Sequence, residues 1–128
     1  MKNKPIYIND LHFEHKLWIR QLEFERDELK IFGGRLEEVV SRWTDKEVLR
    51  KAEHFQNMFI RHHEVLDTLI HDINAHEQTI IEQAKDHPVA IDHVHFKDHP
   101  ELRDKVETQN KLYTELKTEF LNYLRHAM

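Results

Sequence analysis

The chain has 128 residues, 34% of them charged and 39% hydrophobic, with two glycines, three prolines and no cysteine. That balance points to one helical domain and excludes disulfides, thiol chemistry and cysteine-based zinc sites. The net charge of −5, with both signs interleaved, provides no basic field, so nucleic acid is not an expected partner.

The start, Met1-Lys2-Asn3-Lys4-Pro5-Ile6-Tyr7, has no apolar signal core. No apolar run approaches the roughly 20 residues of a membrane span. The expected location is cytoplasmic, with no membrane partner.

A first helix is expected over 9–43. Asn9 is its N-cap candidate, with Ile8 and Phe13 at the hydrophobic-staple positions. Its seam reads Leu11, His15, Trp18, Leu22, Glu25, Leu29, Phe32, Leu36, Val39, Trp43, in alternating steps of four and three. Gly33-Gly34 interrupts the helix at a cost of about 2 kcal/mol against two alanines. That cost predicts a bend, or the close approach of another backbone or a large side chain.

Thr44-Asp45-Lys46-Glu47 reads as a capping box and opens a second helix over 44–86. The seam there is Val48, Ala52, Phe55, Phe59, His62, Leu66, Leu69, Ile73, His76, Ile80, Gln83. Pro88 stops it. A loop over 87–97 carries His87 and the run Asp92-His93-Val94-His95. Asp98-His99-Pro100-Glu101 reads as a second capping box and starts a third helix over 98–127. Its seam is Leu102, Val106, Gln109, Tyr113, Leu116, Phe120, Tyr123, Ala127.

Short connections make neighbouring helices antiparallel. The expected fold is all-α: an elongated antiparallel three-helix bundle with coiled-coil-like seams. Its third helix is shorter than the hairpin formed by the first two. The second helix is roughly 60 Å long and the third roughly 45 Å. A third helix starting level with the end of the second runs out near Met58. The hairpin tip is then uncovered, leaving Ile31, Phe32, Leu36, Val39, Val40, Trp43, Val48, Leu49 and Phe55 partly exposed. Such a patch predicts a homodimer joined tip to tip, or a protein partner docked on a helix face.

Twelve histidines are the unusual feature of the composition. The same alignment predicts two polar layers inside the seam, Glu25/His62/Tyr123 and His15/His76/Gln109. Buried polar groups need hydrogen bonds, and such layers set register between long helices. They also offer a proton-sensitive element. At the loop end, His12, His15, His76, His87, Asp92, His93, His95 and His99 are candidate metal ligands. Imidazoles with carboxylates suit zinc, nickel or copper. His63, Asp67 and His71 form a surface ladder at i, i+4.

Catalytic signatures fail. No glutamate has a histidine three residues later, as a ferritin-like di-iron site requires. His63-Glu64 and His76-Glu77 lack the second histidine of a zinc-peptidase helix. Gly33-Gly34 lies inside a helix and is no phosphate loop, and Ser41 is the lone serine. The first functional expectation is a non-enzymatic interaction or scaffold bundle. The second is a histidine-rich metal-binding or metal-sensing protein. The third is a pH-responsive bundle.

Overall fold

The computed structural model describes residues 8–86 and 98–127. Three helices pack together: α1 (Ile8–Arg42), α2 (Lys46–Asp86) and α3 (Asp98–Ala127). All three pairs are in contact, the α1–α2 hairpin most extensively. The protein is an all-α three-helix bundle. Each helix carries acid in its first turn and base in its last, which complements the helix dipole. Among the described residues, no helix is long and apolar enough to cross a membrane.

The four-three seams face inward. From Leu11 to Val39 every seam position of α1 is buried, polar His15 and Glu25 included. The same holds from Ala52 to Ile80 on α2 and from Leu102 to Phe120 on α3. Trp43 departs from the pattern and is 37% exposed at the end of the hairpin.

The α1–α2 turn differs in detail from the capping box read in the sequence. The cap is Asp45, whose Oδ1 accepts from the backbone N–H of Glu47 at 2.9 Å and of Val48 at 3.1 Å. Those are the second and third helical positions, so α2 begins at Lys46, two residues later than Thr44. Asp45→Ala is expected to cost about 1 kcal/mol. Thr44→Ala is expected to leave the urea midpoint almost unchanged.

Gly33 and Gly34 continue α1 without a break. A Cβ on either would meet nothing within 4 Å. No group of the bundle approaches them closely.

The axial position of α3 is the main correction. His99, at the start of α3, packs beside His76 and not beside the end of α2. At the other end the indole N–H of Trp43 donates to the carbonyl of Ala127 at 2.7 Å, and the Tyr123 hydroxyl donates to the carbonyl of Val48 at 2.8 Å. α3 therefore covers the hairpin tip. Phe32, Leu36, Val39 and Phe55 are buried, and Val48 and Leu49 are half-buried. Only Ile31, Val40 and Trp43 of the expected patch are exposed.

The physical reason is chain length against apolar area. Eleven residues link α2 to α3, enough to span roughly 36 Å. α3 can therefore start well inside the end of α2. Sliding it toward the tip buries four large apolar side chains, each worth roughly 1.5–3 kcal/mol. With the tip covered, most of the apolar patch expected to join two copies is instead buried within the chain.

Candidate metal centre

Each helix contributes one buried imidazole to a single point. His15 of α1 is 2% exposed, His76 of α2 7%, and His99 of α3 fully buried. Their ring centroids lie 5.0 Å (His15–His99), 5.1 Å (His15–His76) and 5.5 Å (His76–His99) apart. One ring nitrogen from each can be chosen so that all three lie within 4.8 Å of one another. Trp18 closes one side, stacked on His99 at 4.8 Å and tilted against His15 at 5.5 Å.

Carboxylates orient two of the rings from outside. Glu77 Oε1 accepts from His15 Nδ1 at 2.5 Å, and its other oxygen pairs with His12. Glu14 Oε1 accepts from His99 Nε2 at 2.6 Å. Glu14 is itself held by Arg103, through Nε to Oε2 and Nη2 to Oε1, both at 2.8 Å. The Arg103 bonds lead in holding the Glu14 carboxyl down at about 2. Burial opposes them, and the His99 bond lowers it further. Glu14 is thus an anion that accepts from His99 at any ordinary pH.

These bonds assign the tautomers. With the Nδ1 proton of His15 on Glu77, its Nε2 carries a lone pair. That lone pair accepts from His76 Nδ1 at 3.1 Å. With the Nε2 proton of His99 on Glu14, its Nδ1 also carries a lone pair. His99 Nδ1 is buried and has no hydrogen-bond partner. An unpaired buried acceptor normally costs about 1–3 kcal/mol. Burial lowers the pKa of His99, which outweighs the Glu14 interactions and keeps the ring neutral and able to ligate.

The arrangement matches what a tetrahedral ion requires. Zn–N bonds of about 2.0–2.1 Å place ligand nitrogens roughly 3.3 Å apart. The His15–His76 separation of 3.1 Å already meets that spacing, and a His99 nitrogen lies within 4.8 Å of both rings' ligand atoms. His76 can surrender its Nδ1 proton and carry it on Nε2. The carboxylates supply the outer hydrogen bonds that metal-bound histidines normally have. A cleft of about 300 Å³ reaches His76 from the surface, bordered by Asp72, Asp98 and Glu101 with one lysine, Lys105. Its acidic rim favours the approach of a cation.

The eight candidate ligands thus divide. His15, His76 and His99 converge. His12 is half-buried and pairs with Glu77. His87, Asp92, His93 and His95 lie outside the described residues. Sequence reasoning placed His99 at a helix start and overlooked its depth. The signal was present: stepping the α3 seam back three residues from Leu102 lands on His99. Arg103 and Trp18 were not recognised as parts of the site, because their roles depend on which helices face them.

The second polar layer is also recomposed. Gln109, not Tyr123, meets Glu25 and His62. The Gln109 amide donates to His62 Nδ1 at 2.9 Å and approaches Glu25 Oε1 at 3.4 Å. Gln21 donates to Glu25 Oε2 at 3.1 Å. Farther along, the Tyr113 hydroxyl donates to Glu28 at 2.5 Å, and Lys117 pairs with the same carboxylate. Tyr123 lies near the tip instead. On the surface, His63 and Arg26 both pair with Asp67, while His71 is exposed.

Burial lowers the pKa of both His62 and His99 from 6.5. Between the lowered value and 6.5 the unfolded chain binds protons that the folded chain does not. Stability is therefore present above 6.5 and declines as pH falls below it. Burial raises the pKa of Glu25, so its contribution runs the other way and is lost as pH rises through the raised value. Urea midpoints of metal-free protein are expected to drop between about pH 7.5 and 5.5. His62→Leu is expected to shrink that drop, and an unchanged profile would remove His62 from the account.

The chain matches no protein-family model, and comparison with curated proteins and with solved structures found no significant similarity.

Proposed function

We propose that the protein is a metal-responsive helical bundle that binds a divalent first-row transition ion, zinc foremost, through His15, His76 and His99. The observation that carries this reading is the buried Nδ1 of His99, which has no hydrogen-bond partner, in a ring packed against two further imidazoles from two other helices. A hydrogen-bonded layer serving register alone has no use for that lone pair. A metal ion does.

Three histidines leave a fourth position for water or an external ligand. Because α1, α2 and α3 each supply one ligand, the ion acts as a clamp. Bound metal then appears as bundle stability. The chemistry is coordination without redox, and with no cysteine in the chain the zinc donors are imidazole nitrogens rather than thiolates. Of the ions considered from sequence, zinc fits best because a tetrahedral nitrogen set imposes no tetragonal distortion. Copper and nickel favour square or tetragonal geometry.

The test uses tag-free protein carrying Trp43→Phe, so that Trp18 is the remaining indole. Copper(II) is expected to quench Trp18 stoichiometrically, and zinc to block the quenching. Cobalt(II) is expected to give the intense visible absorption of a tetrahedral site. Calorimetry with zinc is expected to show one site tighter than micromolar. Binding weaker than micromolar, or copper binding that leaves Trp18 fluorescence intact, would overturn the reading.

A further inference from the structure

The outer face of α1 carries an apolar pattern outside the buried core, in which the Phe24 ring is met by the Lys117 ammonium 5.9 Å from its centroid. Phe13, Leu17, Phe24 and Ile31 are 63%, 48%, 52% and 65% exposed. Their spacings of four, seven and seven residues place them within about 40° of one another around the helix. They form a stripe on the side away from the buried seam. Exposed Arg20 and Asp27 lie in the same stripe, and Gly34 borders it.

Two facts indicate that something packs there. First, Gly34 at the edge of the stripe costs helix stability, yet no neighbour within the chain lies where its side chain would be. Second, the stripe is self-complementary in one direction only. We propose that it is the interface between two copies of this chain, packed antiparallel about a two-fold axis through Phe24.

That operator sets each residue against the one equally far on the other side of Phe24. Leu17 meets the partner subunit's Ile31. Phe24 stacks on the partner's Phe24. Arg20 comes level with the partner's Glu28 and within one residue of the partner's Asp27, which lies on its own flank of the interface, and this pair occurs twice by symmetry. Phe13 arrives level with the partner's Arg35 and next to the partner's Gly34, whose missing side chain leaves room beside the ring. A parallel arrangement would instead place Arg20 against the partner's Arg20 and Asp27 against the partner's Asp27. Like charges disfavour it. The same reciprocity selects a second copy over an unrelated helix, because both halves of each match lie on one surface.

This interface is separate from the metal centre and stands or falls independently of it. Sedimentation equilibrium of the full chain is expected to show a dimer at submillimolar concentration. Arg20→Asp is expected to weaken it by about tenfold or more, since two ion pairs become repulsive. Arg20→Asp with Asp27→Arg restores the pairs in reverse and is expected to restore the dimer. Gly34→Leu is expected to weaken the dimer with helicity intact. Ile60→Asp, on the exposed face of α2, serves as the control and is expected to leave it unchanged. A parent chain that stays monomeric would overturn the proposal. So would a dimer indifferent to Arg20→Asp, or one that Ile60→Asp dissociates.

Discussion

His99→Leu is expected to change two quantities in opposite directions. Zinc affinity falls by more than about 100-fold, because even outer-shell substitutions around metal sites cost roughly 10–100-fold and this change removes a ligand. The stability of the metal-free bundle rises. The substitution replaces a neutral buried imidazole with an unpaired nitrogen by an apolar side chain of similar size, at a seam position between Leu102 and Trp18. Glu14 keeps both bonds to Arg103, so no carboxylate is stranded. Saturating zinc, at about a thousand times its dissociation constant, stabilises a single site by roughly 4 kcal/mol. In a chain of this length that corresponds to a Tm increase of more than about 10 °C. The parent is expected to show that rise, and His99→Leu to show none from a higher starting Tm. A purely structural histidine layer predicts the reverse: lower metal-free stability on substitution and no zinc-dependent rise in either protein. Glu14→Gln keeps an acceptor but loses its charge. It is expected to retain binding at roughly 10–100-fold lower affinity.

Phe120→Ala is expected to destabilise the fold by about 3–5 kcal/mol. Phe120 is fully buried. Its ring lies 5.1 Å from that of Phe32, 5.3 Å from Phe55 and 5.0 Å from Phe59. It thus joins aromatic rings of both α1 and α2. Removing the ring opens a cavity between three helices that cannot close without moving α3 along its axis. The measurement is the urea midpoint at unchanged slope. A double-mutant cycle of Phe55→Leu with Phe120→Leu checks the register directly. Coupling of about 0.5–1.5 kcal/mol is expected for this aromatic pair. The register expected from the sequence, with Tyr123 beside His62, keeps Phe120 away from Phe55 and predicts no coupling.

That contrast marks what was legible in the chain. Hydrophobic period gave the rotational phase of each helix almost residue by residue, with His15, Glu25, His62, His76 and Gln109 correctly facing inward. It left the axial register open. A seam repeating every seven residues looks much the same after a slide of one or two repeats, or of a repeat and a half-step. The observed shifts have those sizes. Gln109 stands where Tyr123 was expected, fourteen residues away, and His99 where Gln109 was expected, ten residues away. Apolar contacts barely distinguish such slides. Polar matches do: Gln109 with His62, Tyr113 and Lys117 with Glu28, Arg103 and His99 with Glu14, and Trp43 with the end of α3.

The sequence by itself determined an all-α bundle, the bounds of three helices to within two residues, and which imidazoles face inward, because these depend on local period and capping. Tertiary structure alone decided that α3 covers the hairpin tip, that Gln109 completes the Glu25–His62 layer, and that His15, His76 and His99 converge. Those outcomes depend on how far one helix slides along two others. Directional hydrogen bonds and ring shapes spread over more than a hundred residues set that distance, and no local stretch of the chain encodes it.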